Sequence, residues 1–382
     1  MRGHYANIAE RAVGLTATVR VRGPDPRGDV AADAAFFTHH RPDDDSLPGA
    51  DGAPVVAISA TALRIPTRAS TRQDGRPAAG DDRKRFIAPL APFLPFLAAR
   101  DDARDDRPSV ASPLAPGVEV HVRLGREGFG GDEPGGWTRA RVLASCVPMD
   151  ASNAGDALAG PAGLGALRRG WTAGGVAPLG DSPPVPLGAA VTGVVLIETT
   201  DARATRTPPP PPPPEWRDAG WVDGFVREGA PIVACGSPFA ALSPTHFACA
   251  VFGGHVSRAW GRRVGMRREG GDSSPGDSPA DPPLLLADVV ALPGTEGAPV
   301  LDADGGGVIG VLTPPLVRLE RGRDGVTRAQ ETVPLVLTMA SIRDALRELV
   351  DGSPRGESPR VESPLASGPA SSSSSSSSFR DA

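Results

Sequence analysis

At 382 residues the chain has room for two or three domains, or for two packed barrels, and its formal net charge of −5, spread along the sequence, points to neither a nucleic-acid nor a membrane-surface partner. Gly (47) and Pro (43) make up close to a quarter of the residues, which favours strands, turns and loops over helices. Cys146, Cys235 and Cys249 cannot all pair and form no Cys-x-x-Cys, so no disulfide framework or zinc knuckle is expected, and a reducing intracellular compartment is the default.

The N-terminus, Met1 to Tyr5, lacks the apolar core of a secretory signal, and no apolar run is long enough to span a bilayer. The first expected strand is Gly14 to Arg22, stopped by Gly23-Pro24-Asp25-Pro26. An acidic loop around Asp43 to Asp51 leads to a second strand, Pro54 to Ile65, and residues 66–85 read as an exposed loop. The apolar patch Phe86 to Ala99 is broken by Pro89, Pro92 and Pro95. Gly117 to Leu124 alternates cleanly, with Val118, Val120, Val122 and Leu124 on one face and Glu119, His121 and Arg123 on a solvated one. Trp137 to Met149 and the buried run Ala189 to Ile197 complete about six strands with no long helix between them, the pattern of an antiparallel barrel or sandwich.

Seven prolines, Pro208 to Pro214, form a stiff polyproline-II spacer, although a ligand for proline-binding modules has the same composition. A second strand set follows: Pro231 to Cys235, Phe247 to Trp260, Leu284 to Leu292, Pro299 to Asp302 and Val308 to Leu312. Between them, 262–283 is an acidic Gly/Ser/Pro-rich insertion expected to be mobile. Ser341 caps an expected helix whose apolar residues Ile342, Ala345, Leu346, Leu349 and Val350 fall at helical spacing, and Gly352 ends it. The tail, with eight serines from Ser371 to Ser378, cannot bury apolar surface and is expected to be disordered.

Four elements in the second half carry a resemblance. Ala234-Cys235-Gly236-Ser237-Pro238-Phe239 resembles a Gly-Ser/Asn-Pro-Phe-Gly turn of HtrA/Deg proteases, and Gly254-His255-Val256-Ser257 their Gly-Ile-Val-Ser strand. Leu286 to Gly294 resembles the approach to their nucleophile, and Val308-Ile309-Gly310-Val311 the strand after it. More narrowly, the chain resembles the N-terminal region of the peroxisomal (glyoxysomal) leader-peptide processing protease family. That likeness rests on Val19 to Gly28, Ala57 to Leu63, Phe86 to Leu97, Leu114 to Val120 and the Gly294-Thr295-Glu296-Gly297 turn. It covers roughly residues 14–350 and is strongest at 230–312. It implies two antiparallel β-barrels of the trypsin-like class, a serine endopeptidase family that removes targeting leaders, and a peroxisomal location.

A trypsin-like site needs a nucleophilic hydroxyl, an imidazole to take its proton and a carboxylate to orient that imidazole. At the position where the resemblance implies the serine stands Glu296, read as an exposed, ionised turn residue with no catalytic role. Gly294, Thr295, Glu296 and Gly297 are a vestigial oxyanion turn, whose N–H groups could still form an anion nest or simply bind the Glu296 carboxylate. The resemblance implies a histidine after the second strand, yet Phe86 to Leu97 contains none. His39 and His40 read as solvated loop residues, His121 as a solvated strand residue, His246 as a loop residue, and His255 stands where the family has an apolar residue. Pro238 after Ser237 and the missing second Gly argue against a nucleophile elbow there, and the HtrA resemblance implies a structural serine. Cys235 and Cys249 are either buried strand residues or an alternative nucleophile or redox pair. Asp302 and Asp304 before Gly305-Gly306-Gly307 read as a β-turn rather than a calcium loop, and no metal or cofactor is expected.

The expected organisation is an N-terminal extension at 1–13, a degenerate first barrel at 14–200, a Pro-rich linker at 201–229, a second barrel with a C-terminal helix at 230–352, and a disordered tail at 353–382. The expected function is a protease-like region that is itself non-catalytic, with leader peptides or a downstream catalytic protease domain as partners. Two alternatives remain open: an endopeptidase with an unrecognised nucleophile, and a stand-alone peptide-binding barrel module. The terminal Phe379 to Ala382 is not a Ser-Lys-Leu-type address.

Overall fold

The computed structural model describes residues 2–24, 55–65, 84–97, 114–124, 136–159, 171–173, 187–200, 226–240, 244–260, 282–321 and 327–351. In chain order the first half contains α1 (Arg2–Gly14), β1 (Thr16–Pro24), β2 (Val55–Ile65), β3 (Arg85–Pro89), a 3₁₀ turn (Ala91–Phe96), β4 (Glu119–Leu124), β5 (Thr138–Cys146), α2 (Met149–Ala159), β6 (Trp171–Ala173), α3 (Leu187–Thr192) and β7 (Val194–Thr199). The second contains β8 (Pro231–Gly236), α4 (Pro244–Phe247), β9 (Ala250–Trp260), β10 (Leu284–Ala287), β11 (Pro299–Asp302), β12 (Val308–Leu312), β13 (Leu316–Arg321), β14 (Thr327–Val333), β15 (Leu335–Thr338) and α5 (Met339–Asp351).

Six strands of each half close into an antiparallel barrel, β1-β2-β3-β7-β5-β4 and β10-β15-β12-β11-β8-β9. Alternation decides what each barrel holds. Ala17, Val19 and Val21 of β1 point inward with Phe86, Val120, Val122 and Ile197, and the apolar patch beyond β3 adds Phe93 and Phe96 from the 3₁₀ turn. Ile232, Ala234, Val256, Leu285, Val300 and Ile309 fill the second barrel. The opposite faces are apolar too, because the barrels pack on one another. Leu63, Ile87 and Leu196 of the first meet a seam shared with Val233, Cys235, Leu301 and Leu337 of the second. Strands buried on both faces read as unbroken apolar runs, which is why β3, β7 and β12 show no alternation.

Several elements depart from expectation. Residues expected as an extension form α1, whose Ile8 and Ala12 are buried in the seam. Thr16 just beyond it donates from Oγ1 to the Cys235 carbonyl at 3.1 Å, so the chain crosses the second barrel before entering the first. The run 189–197 is a strand only from Val194, because Ala189 and Ala190 suit the short helix α3, where Thr192 Oγ1 donates back to the Gly188 carbonyl at 2.8 Å. Likewise β5 stops at Cys146 and α2 follows, its Ala154 carbonyl accepting the Trp260 indole N–H at 3.0 Å. The helix α5 begins at Met339 rather than behind Ser341, and Thr338 Oγ1 lies 3.3 Å from Ser341 Oγ. Its Ile342, Ala345 and Leu346 are buried as the spacing requires. A third sheet, β14-β13-β6, joins a strand of the first half to a hairpin of the second and was not expected. The polyproline run, residues 262–281 of the acidic insertion and the serine tail lie outside the described residues.

Candidate active-site turn

The turn between β10 and β11 sits where the two barrels meet. Thr295 builds it: its N–H and Oγ1 donate to the Leu292 carbonyl at 2.9 and 2.7 Å, and its Oγ1 accepts the Leu292 N–H at 3.1 Å. Gly294 and Gly297 have φ of +93° and +84°, the left-handed region open to glycine. At Gly297 the space requirement is as strict as the angle. A Cβ there would lie 2.1 Å from the Thr61 carbonyl oxygen and 2.5 Å from Pro89 Cδ.

Those neighbours belong to the first barrel, and Thr61 of β2 is the hub between the barrels. Its Oγ1 donates to the Gly294 carbonyl at 2.6 Å and accepts the Ser237 N–H at 2.9 Å, and its N–H donates to the Glu296 carbonyl at 2.8 Å. From the second barrel, the Gly297 N–H donates to the Leu312 carbonyl at 2.6 Å. The turn is held from both sides.

Glu296 is not the exposed residue expected. It is 4% exposed, and its Oε2 accepts the Gly294 N–H at 2.7 Å. Burial pushes its carboxyl up to about 7, while the backbone N–H groups of Glu296 and Gly294 pull the other way. The expected full ionisation at neutral pH is therefore corrected: near pH 7 the group is divided between its charged and neutral forms. A glutamate offers a surface turn charge, but its reach also lets it fold back over its own turn and take the amide there. The folded turn takes the second course, with the carboxyl buried on the Gly294 N–H.

Of the segment where the resemblance implies an imidazole, Arg85 to Pro89 forms the third strand, and Leu90 follows it. Leu90 is buried and donates its N–H to the Gly193 carbonyl at 2.8 Å. The residue of this segment that lies against the turn is Pro89. His121 is buried rather than solvated, along with Arg123, because this outer face of β4 is not solvent-facing. Thr18, the partner of Arg123 in register, donates from Oγ1 to Ser237 Oγ of the other barrel at 2.8 Å. His255 is exposed, with Nδ1 3.6 Å from Asp288 Oδ2 and its N–H on Asp288 Oδ1. His246 is exposed in α4, and His4 Nε2 lies 2.8 Å from the Asp304 carbonyl oxygen. His39 and His40 lie outside the described residues.

Ser237 is fully buried, and its hydroxyl accepts from Thr18 Oγ1 and, at 3.4 Å, from the Cys249 N–H. Asp302 accepts from the N–H groups of Asp304 and Gly305, both at 3.1 Å, which is a turn. Among the described residues no group of three or more His, Cys, Asp or Glu could hold a metal ion. Sequence reasoning missed Thr61; its signal was a hydroxyl that shares one face of a mostly apolar strand with Ser59.

Two closed six-stranded antiparallel barrels packed on a common seam, with a Gly-rich turn between them, define the trypsin-like double-barrel class. Within it, the chain is similar to the peroxisomal leader peptide-processing proteases of Mus musculus, 34% identical over 131 residues, and Homo sapiens, 32% identical over 127. These matches bear out the resemblance read from the sequence. They cover 34% and 33% of this chain but only 19% and 18% of the relatives' length. No protein-family model matches. Among solved structures, the HtrA-type protease AlgW with a decapeptide is 13% identical with a TM-score of 0.38, covering 91% of this chain and 67% of that one. Deg5 is 10% identical with a TM-score of 0.36, covering 91% and 95%. Strand order and register, not these likenesses, define the fold.

Proposed function

We propose that this chain is the non-catalytic, protease-like part of a peroxisomal processing endopeptidase, keeping the double barrel to bind a leader peptide or a catalytic protease domain. One observation carries this reading: the side chain at the nucleophile position is a buried carboxyl folded onto the Gly294 N–H. An oxyanion hole works by offering preorganised N–H groups to a developing negative charge. Here a carboxyl group already takes that amide, and Glu296 supplies no hydroxyl to acylate. The Pro89–Leu90 corner supports the same reading, since it offers no imidazole. Gly294, Thr295, Glu296 and Gly297 then act as a structural remnant that locks the barrels together through Thr61.

The peroxisomal assignment and the leader-peptide partner come from the relatives' names. The domain organisation proposed is a first barrel within 14–200, a linker at 201–229, and a second barrel with its helix at 230–352. Treatment with a fluorophosphonate probe tests the chemistry. No stoichiometric adduct is expected, and modification of one serine would establish the alternative of an active endopeptidase. Fluorescence anisotropy with a leader-bearing peptide, with and without a separate catalytic domain, tests the binding role. Failure to bind either would refute it.

A further inference from the structure

Beside the turn, β8 and β9 bring two of the three cysteines together. The ladder pairs Cys235 with Val251 and Gly236 with Ala250, so Cys249 is the first residue beyond it, alongside Ser237. Cys249 has φ of +55°, a left-handed conformation uncommon for a residue with a side chain. Its side chain packs against the seam that contains Cys235. Neither is in a disulfide; Cys235 has no exposed surface, whereas Cys249 is half-buried. The Cys249 side chain, followed by burial, pushes the Cys235 thiol far above its ordinary range. Cys146, buried in β5, is not among the groups acting on this thiol.

We propose that Cys235 and Cys249 form a dithiol redox site that reduces a hydroperoxide and closes to an intramolecular disulfide. In the first step the Cys249 sulfur attacks the peroxide. An S–O bond forms, the O–O bond breaks, and the leaving oxygen departs as water or alcohol with the proton of the Cys249 thiol. In the second step the Cys235 sulfur attacks the sulfenic sulfur of Cys249. The S–S bond forms, the S–O bond breaks, and the Cys235 proton leaves with the hydroxide as water. The two thiols lose two electrons and the peroxide gains two. Exposure sets the order: Cys249 meets the oxidant and the sequestered Cys235 resolves it. The disulfide would join β8 to β9 beside Ser237.

The test treats the full chain with hydrogen peroxide, quenches, unfolds it and labels the remaining thiols for mass spectrometry. Labelled thiols are expected to fall from three to one, with a non-reducing peptide map showing a dithiothreitol-sensitive link between Cys235 and Cys249. Cys249→Ser should leave Cys235 unoxidised, and Cys235→Ser should leave Cys249 as a sulfenic acid captured by dimedone. Retention of all three thiols, earlier loss of Cys146, or a dimedone adduct at Cys249 of the natural chain without the link would each overturn the proposal.

Discussion

Replacing Glu296 with Gln should change how stability depends on pH. In the folded chain burial raises the carboxyl from 4.5 to about 7. The folded state therefore holds its proton to a higher pH than the unfolded one. The contribution is fully present below about pH 4.5 and is lost as pH rises through about 7. At about 1.4 kcal/mol per pKa unit, full ionisation costs the natural chain on the order of 3 kcal/mol of stability. Glutamine is close in shape and its carbonyl can still accept the Gly294 N–H, but it carries no charge to desolvate. Urea unfolding followed by tryptophan fluorescence between pH 5 and 9 would give both free energies by linear extrapolation. The difference, Gln variant minus natural chain, should grow by roughly 2–3 kcal/mol across that range. Any constant offset from the amide cancels in this comparison. A difference that stays flat from pH 5 to 9 would refute the reasoning, because Glu296 would then not titrate there.

Gly297→Ala should lower Tm markedly more than Gly229→Ala: both have positive φ, but only Gly297 would drive a Cβ into backbone, whereas Gly229 has nothing within 4 Å. Equal shifts by differential scanning fluorimetry would show that the Thr61 contact yields easily. Thr61→Val keeps the shape but removes the hydroxyl between Gly294 and Ser237, so denaturant unfolding should show a loss of about 2–4 kcal/mol. A loss below ~0.5 kcal/mol would deny Thr61 its role as the hub. In the first barrel, burial alone would raise the Glu198 carboxyl, but Arg141 and Arg85, bound at 2.9 and 3.0 Å, outweigh it and hold it below the usual range. Its contribution is present above the unfolded pKa and lost as pH falls through the folded one. Glu198→Gln should therefore cost about 3–5 kcal/mol at neutral pH and flatten the acid limb of the stability profile. An unchanged acid limb would place the acid-labile group elsewhere.

The two strand sets were legible because alternation and unbroken apolar runs are local properties of the chain. Val19-Arg20-Val21 and Val120-His121-Val122 state which residues face a core without reference to any partner. The closing helix was legible for the same reason. The short helix α3 was not, because a six-residue helix and a buried strand look alike as an apolar run. The pairing of β6 with β13 was missed because pairing across more than 140 positions has no local signature.

The turn at Gly294 to Gly297 shows where local information ends. The sequence by itself determined that a glutamate stands within the Gly294 to Gly297 turn, that Phe86 to Leu97 contains no histidine, and that glycines flank the turn. Only the tertiary structure decided what Glu296 does. Thr61 and Pro89 come from a different barrel more than 200 residues away and abut the turn at Gly297, and burial of Glu296 within that folded turn raises its carboxyl. His121 is likewise buried against expectation. Identity and spacing belong to the chain; solvation belongs to the contact between the barrels, and it sets the charge of Glu296.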